Sequence, residues 1–200
     1  MAITIRKIAC PEPPVGADLM KTGQTTSYRT GDDGDIEAGR DVDFFTLASN
    51  NPFGNTNRFT DELGGSTYTN NIVIDWSTYD NVAGTVLGVY RIASIGNVTW
   101  EIAIDDSLSL SVGTFTSGWR LWNINEMNNF TDWALNYSNV FGYSPLNLPL
   151  GSYWTSTSVS ATNAIRQAYS GTVSLGLLSK GAGQKRVSVR TFTVNGTTLT

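Results

Sequence analysis

Histidine is absent from this 200-residue chain, and cysteine occurs once, as Cys10. Without histidine there is no imidazole general base, no histidine-containing catalytic triad and no zinc site with imidazole ligands. A single cysteine excludes an internal disulfide and a thiolate metal cluster, and we expect it to act as a small apolar residue. These absences lead us to expect a protein that is not an enzyme and carries no cofactor.

Charge is also scarce, since charged residues make up 15% of the chain, against about 25% in typical soluble domains. The formal net charge is −4, whereas nucleic-acid-binding domains are normally basic, so we expect no nucleic-acid partner. Apolar residues never run long enough to insert into a membrane as a spanning helix. The first residues lack the apolar segment of a signal peptide, and we therefore expect synthesis and assembly in a cytoplasm.

Small polar residues take the place of charge: serine, threonine, asparagine and glycine together make 81 of the 200 residues. Threonine favours strands, whereas glycine, asparagine and serine favour turns. The composition therefore indicates a chain rich in strands and turns, with a neutral surface that binds through hydrogen bonds. Secreted proteins, adhesins and viral particle proteins often share this composition.

Charges of opposite sign are separated along the chain. Ten of the 17 acidic residues lie between Glu12 and Glu62, and the chain after Asp132 contains none. The basic residues beyond that point are Arg166, Lys180, Lys185, Arg186 and Arg190. Two interpretations remain open: the two ends of one molecule pack against each other, or the acidic part of one copy meets the basic end of another.

The first 18 residues are expected to form an extended N-terminal arm. Their isoleucines alternate loosely with polar residues, as on a strand, and three prolines then exclude a helix or a central strand. The isoleucines are Ile3, Ile5 and Ile8, and the prolines are Pro11, Pro13 and Pro14. We expect arm 1–18 to lie against another subunit, because it buries too little to be ordered alone. Residues 19–200 are expected to form one domain.

Alternating apolar residues predict two strands in the middle of the chain, at residues 67–76 and 85–92. Three runs rich in threonine, serine and valine predict further strands in the last third, at residues 152–159, 172–178 and 185–194. Clusters of glycine or serine separate these three runs. We expect them to form an antiparallel sheet near the C-terminus.

One helix is predicted at residues 123–138, where apolar residues recur at spacings of three and four. Asn123 can cap its N-terminus, and Glu126 three residues later completes a capping-box arrangement. A second segment, residues 99–110, is ambiguous. Its apolar residues alternate as in a strand, yet they also fit one face of a helix, so periodicity leaves both structures open.

Several short motifs resemble, in the same order, those of the Lcl C-terminal domain-like proteins. The resemblance covers residues 20–192. The motifs are Lys21-Thr22-Gly23-Gln24-Thr25, Gly31-Asp32-Asp33-Gly34-Asp35, Arg58-Phe59-Thr60-Asp61, Thr99-Trp100, Gly118-Trp119-Arg120-Leu121 with Glu126-Met127, Tyr153-Trp154-Thr155-Ser156-Thr157 and Val187-Ser188-Val189-Arg190. Each motif is weak alone, and their shared order makes the resemblance specific.

The resemblance implies an α+β fold of the C-type-lectin type, in which two helices lie against a twisted antiparallel sheet. Such folds are related to formylglycine-generating enzymes and to the tropism-determining tips of some phage tails. The resemblance places residues 99–110 in the first helix, Trp119 and Arg120 between the helices, and Tyr153 and Trp154 on a central strand.

The chain also departs from the family pattern, with Ser188 at the usual terminal cysteine and Trp122 at a proline. The calcium-ligating triplets of sugar-binding C-type lectins and the paired cysteines of the formylglycine enzymes are absent. The resemblance therefore implies the scaffold, whereas the function has to be argued from the residues.

Two sets of carboxylates were considered as sites. Asp32, Asp33 and Asp35 form the most acidic cluster, and an oxygen-rich, glycine-bent loop can hold Ca²⁺; an exposed turn in water is the alternative. Asp75 with Asp80 would suit a glycosidase only if both carboxyl groups faced each other across a cleft. We expect no catalysis from this pair.

Aromatic residues divide into two groups. Tryptophans at patterned positions are expected in the core, and Trp119 and Trp154 are predicted to be buried at the helix–sheet junction. Less regular aromatics lie where lectin-like folds face outward, and exposed rings there can stack on sugars or anchor a partner protein; half-buried packing is the alternative. The candidate ligand- or partner-binding residues are Trp122, Tyr143, Asn147, Asn163, Arg166 and Tyr169.

These observations predict a phage or virus particle protein, synthesised in the host cytoplasm and exposed on the virion surface. It would act by binding other virion proteins and copies of itself through the arm, and a host surface glycan or protein through the lectin-like face. A bacterial surface or secreted carbohydrate-binding protein is the alternative, and the missing signal peptide argues against it. Capsid decoration and receptor binding by a tail fibre both remain open.

Overall fold

The computed structural model describes residues 27, 30, 57–61, 71–80, 82–91, 96–130, 146, 148–169, 173–196 and 198–200. Several predictions made above fall outside these residues. They concern arm 1–18 with Cys10, the aspartates Asp32, Asp33 and Asp35, and the candidate binding residues Tyr143 and Asn147.

Nine strands and two helices follow one another in the described part of the chain. They are β1 Phe59–Asp61, β2 Asn71–Asp80, β3 Thr85–Arg91, α1 Trp100–Leu108, β4 Arg120–Leu121, α2 Ile124–Asn129, β5 Gly151–Ser158, β6 Asn163–Tyr169, β7 Val173–Ser179, β8 Ser188–Asn195 and β9 Thr198–Leu199. The strands pair in antiparallel fashion. The structure is therefore mostly sheet with two short helices, as expected for an α+β protein.

The strands form two sheets. The larger has the order β1-β2-β3-β8-β4, with β9 added to β8, and the smaller has the order β5-β6-β7. Backbone hydrogen bonds join them, because Trp154 N donates to the Lys185 carbonyl and Ser156 N donates to the Trp122 carbonyl. The expectation that the last three predicted strands share one sheet is wrong, since β8 pairs with β3 and β4 instead of with β7.

The alternation of apolar residues explains this placement of β8. On β8, Val189 faces one apolar cluster and Phe192 faces another, on the opposite side of the larger sheet. A strand that is apolar on both sides belongs at the centre of a covered sheet. The Phe192 ring lies so close to the Gly88 backbone of β3 that a Cβ atom at Gly88 would overlap it.

Two apolar clusters therefore hold the fold together. The first lies between the two sheets and the helices, and its largest side chains are Trp122, Phe130, Tyr153, Trp154 and Tyr169. The second covers the other face of the larger sheet and consists of Ile72, Ile74, Trp76, Val86, Val112, Trp119 and Phe192. Both clusters are rich in aromatic rings, which bury large areas and explain why a chain with few aliphatic runs still forms a core.

The predicted burial of two tryptophans is confirmed, but only Trp154 packs with helix residues, because Trp119 lies in the second cluster among strand and loop residues. Trp119 is 1% exposed and Trp154 is fully buried. The indole Nε1 of Trp119 donates to the Phe115 carbonyl at 2.9 Å, and that of Trp154 donates to the Val98 carbonyl at 3.0 Å. Both polar tips are thus satisfied inside the protein, which buried indoles require.

Helix α1 resolves the ambiguity of residues 99–110. Thr99 is its N-cap and accepts a hydrogen bond from Ile102 N, and Ala103 packs into the first cluster while Ile102 is exposed. The helical alternative is therefore correct. A threonine that can cap and an apolar face three to four residues apart favour a helix over the competing alternation.

Helix α2 begins as predicted. The Asn123 side chain accepts hydrogen bonds from Asn125 N and Glu126 N, both at 2.9 Å, and the Glu126 carboxylate accepts from Asn123 N at 2.8 Å. This is the predicted capping box. The helix ends at Asn129, with Phe130 as its C-cap, and residues 131–138 of the predicted helix lie outside the described residues.

Replacing Asn123 with alanine is expected to lower the free energy of unfolding by about 1 kcal/mol, because two backbone donors lose their acceptor. The measurement is urea denaturation followed by tryptophan fluorescence. Asn125→Ala is the matched control, since Asn125 is exposed on the same helix and its side chain caps nothing. An equal loss in both variants would contradict the capping role.

Candidate functional site

The buried charged residues of the described part of the chain are Arg58 and Asp75, which form an ion pair and are both fully buried. Arg58 Nε and Nη2 donate to the two carboxylate oxygens at 2.8 Å, and Nη2 also donates to the Asn129 carbonyl at 2.8 Å. The Arg58 guanidinium carbon lies 4.6 Å from the centre of the Phe59 ring. This arrangement ties β1, β2 and α2 together.

Asp75 is therefore a structural carboxylate. Its Oδ1 also accepts from Ser77 Oγ at 2.6 Å and from Ser77 N at 3.1 Å. Asp80, in contrast, is exposed, and the backbone N–H groups of Ala83 and Val82 lower its pKa. One member of the imagined catalytic pair is enclosed and the other caps a turn, so the two do not share a cleft.

Two candidate binding residues are buried, and the expectation that their rings face outward is wrong. Trp122 is fully buried and donates from Nε1 to the Trp154 carbonyl at 2.8 Å. Tyr169 is 1% exposed, and its ring lies 6.2 Å from that of Tyr153. Burial also raises the pKa of the Tyr153 hydroxyl. These aromatics are core residues because α2 folds back over the smaller sheet.

The two remaining candidates that the structure describes, Asn163 and Arg166, lie together on β6. Arg166 is half-buried, pairs with Trp154 on β5 and Gly176 on β7, and donates from Nη1 to Ser152 Oγ at 3.2 Å. Its guanidinium therefore lies on the surface of the smaller sheet. Asn163 begins β6 and belongs to the turn that precedes it.

That turn, residues 158–163, is called here the hydroxyl turn. Ser160 Oγ accepts from Thr162 N at 3.2 Å and from Asn163 N at 3.0 Å, while Ser158 Oγ donates to the Ser160 carbonyl at 2.9 Å. Val159 N donates to the Asn163 carbonyl at 3.1 Å. Serine side chains that bond to nearby backbone groups in this way fix the conformation of a turn.

The hydroxyl turn is anchored to the body of the protein. Lys180 N donates to the Thr162 carbonyl at 2.9 Å, and Trp100 N donates to the Lys180 carbonyl at 2.9 Å. The Lys180 ammonium lies 4.0 Å from the centre of the Trp100 ring, a cation–π contact. The turn thus presents exposed hydroxyls and the Val159 side chain, which is 56% exposed, on a fixed base.

Sequence reasoning found Asn163 but missed the turn as a unit. The signal was present, because the serine-, threonine- and asparagine-rich stretch of residues 158–163 follows a predicted strand directly, and such stretches form side-chain-to-backbone turns. Strand β6 was missed because Arg166 and Gln167 interrupt its apolar pattern. Gln167 is nevertheless fully buried.

Within the described ranges, no group of three acidic, cysteine or histidine side chains is placed to hold a metal ion. The helices that the structure describes are too short or too polar to cross a membrane. Among the described residues, the hydroxyl turn holds exposed hydroxyl groups and one exposed apolar side chain, Val159, in fixed positions beside the smaller sheet. A scan against protein-family models and a search of curated proteins find no match to this chain.

Proposed function

We propose that the chain is a binding protein with a C-type-lectin-like fold, exposed on the surface of a phage or virus particle. The observation that carries the proposal is the hydroxyl turn, a surface fixed by its own hydrogen bonds and anchored through Lys180 to Trp100. The order of the sequence motifs supports the lectin-like fold. The composition, which viral particle proteins often share, supports a place on the particle surface. Loops held by a rigid scaffold are where binding residues concentrate.

The chemistry of the turn suits a neutral, hydroxyl-bearing partner. Serine, threonine and asparagine side chains both donate and accept hydrogen bonds, and Val159 adds an apolar contact between them. A host surface glycan or a polar protein surface offers the complementary groups. Single contacts of this kind are weak, so useful attachment requires several copies on one particle.

Two of the described acidic residues, Asp75 and Glu126, have structural roles. Asp75 neutralises the buried Arg58, and Glu126 both caps α2 and accepts a hydrogen bond from Arg120 Nη1 at 2.7 Å. The pair with Glu126 raises the pKa of Arg120. These carboxylates have structural partners that a substrate would have to displace.

Particles carrying Val159→Asp are expected to adsorb to host cells about tenfold more weakly than the parent. The substitution places a charge in the middle of a neutral contact, and a loss of about 1.4 kcal/mol in one site already changes Kd tenfold. The measurement is the adsorption rate constant of purified particles, beside the copy number of the chain per particle from quantitative mass spectrometry.

Val82→Asp is the matched control, because Val82 is 85% exposed in the β2–β3 turn, far along the chain from the hydroxyl turn. It should adsorb like the parent. Equal adsorption of all three particles would contradict the proposed site. Particles that fail to assemble only with Val159→Asp would instead make the turn a contact between virion subunits.

A further inference from the structure

Among the described strands, β7 is an edge of the smaller sheet, and its own sequence carries none of the usual protection. In the part of the chain that the structure describes, β7 pairs only with β6, without a break from Asn163 opposite Ser179 to Tyr169 opposite Val173. Natural edge strands are commonly guarded by charge, proline or a bulge. The sequence of β7, Val-Ser-Leu-Gly-Leu-Leu-Ser, contains neither a charged residue nor proline, and its register has no bulge.

One side of this edge is apolar. Leu175 and Leu177 are 52% and 61% exposed, and they lie opposite Gln167 and Ile165 on β6. Because side chains two residues apart share one face of a strand, the two leucines form an exposed pair. A strand added at this edge would cover the pair with apolar residues at two alternate positions.

The other side of the edge is basic. Gly176 lies between the leucines and opposite Arg166, and a Cβ atom at Gly176 would lie 3.5 Å from both Arg166 Nε and Nη2. The guanidinium thus extends over a position that has no side chain. Of the residues that the structure describes, no carboxylate forms an ion pair with Arg166. An acidic side chain on an added strand can reach the guanidinium across Gly176.

We propose that a second copy of the chain supplies this strand through its acidic segment, residues 12–62. A strand that fits this edge needs an acidic residue opposite Gly176 between two apolar residues opposite the leucines. Val42, Asp43 and Phe44 have this order. With Asp43 opposite Gly176, Val42 and Phe44 fall on the leucine side. The arm fits less well, because Thr4 stands between its isoleucines. This strand addition goes beyond the proposed function, since it joins copies to each other.

Charge complementarity favours a copy of the chain as the partner. Ten of the 17 acidic residues lie in residues 12–62, whereas the chain after Asp132 carries five basic residues and none that are acidic. Every copy therefore bears both halves of the contact, and the acidic segment of each copy can add to the β7 edge of the next. A contact of this type depends on ionic strength, because part of it is a partly exposed charge pair.

Sedimentation velocity of the purified full chain at micromolar concentration tests the proposal. The parent is expected to sediment as a dimer or larger species at low salt, and Arg166→Glu and Asp43→Arg each as the 21.7 kDa monomer. The double variant, which exchanges the two charges, should associate again. Val82→Glu, in the exposed β2–β3 turn and outside the basic end, is the control for charge change alone and should behave like the parent.

Leu177→Lys is a second test in case Arg166→Glu unfolds. It places a charged residue on the exposed edge, which opposes strand addition, and should also yield monomer. A parent that is monomeric at every concentration overturns the proposal, as does association that none of these substitutions reduces. Failure of the double variant to recover association overturns the pairing of Arg166 with Asp43. These outcomes are independent of adsorption to cells, which tests the hydroxyl turn.

Discussion

Replacing Asp75 with asparagine is expected to lower the free energy of unfolding by about 3–5 kcal/mol, the largest effect of any single polar substitution in the described residues. The change keeps the shape of the side chain but removes the carboxylate charge that pairs with the fully buried Arg58, and breaking a buried ion pair from one side is strongly destabilising. Urea denaturation at neutral pH measures the loss. Folding of β1 against β2 depends most directly on this pair.

The double variant Arg58→Met, Asp75→Asn separates charge from packing. It removes both charges and keeps a long apolar stem against Phe59 and Phe130, which the guanidinium now contacts. We expect it to recover part of the lost stability, because two neutral side chains cost less to bury than a guanidinium that has lost its ion pair with Asp75. A double variant no more stable than Asp75→Asn would mean that the hydrogen bonds, and not the buried charge, carry the effect.

Truncation of Trp119 or Trp154 to alanine is expected to cost about 3–5 kcal/mol each, as for large buried aromatic side chains in general. The two residues lie in different apolar clusters, and each leaves a cavity as well as a carbonyl group that loses its indole donor. Thermal and urea denaturation, followed by far-UV circular dichroism because the fluorophore itself is removed, give the two losses.

Leu108→Ala provides the reference for removing apolar volume at the surface, since Leu108 is 60% exposed at the end of α1. It should change stability by well under 1 kcal/mol. If either tryptophan variant unfolded at the same urea concentration as Leu108→Ala, its position in the core would be contradicted. Similar losses at both tryptophans would show that the two faces of the larger sheet contribute comparably.

Local signals in the sequence predicted much of the secondary structure. Strands β2 and β3 and both helix starts depend on neighbouring residues: alternation for the strands, Thr99 and the Asn123–Glu126 pair for the caps. Partners are a different matter, because β8 could have joined either sheet on local pattern alone. Strand β8 pairs with β3 because it carries apolar side chains on both faces, and both faces are buried only at the centre of the larger sheet.

The candidate site was less predictable. Trp122 and Tyr169 differ from an exposed aromatic only in what packs over them, and that covering comes from α2 and β5, far away in sequence. Arg58 belongs to a sequence motif and Asp75 to a candidate carboxylate pair, yet their contact with each other requires β1 beside β2 in the observed register. Asn163 and Arg166 were predicted on the outward-facing loops that the lectin-like resemblance implies, whereas both lie on strand β6.

The pairing of β3 with β8 also has a consequence for how the chain is made. Val89 lies opposite Val189, so the centre of the larger sheet closes only after a further hundred residues have been synthesised. At about 5–20 residues per second, translation needs roughly 5–20 seconds to cover that distance. Until then the β3 edge of the β2–β3 hairpin lacks its partner and its apolar faces lack their cover, and such exposed surfaces make incomplete chains prone to aggregation.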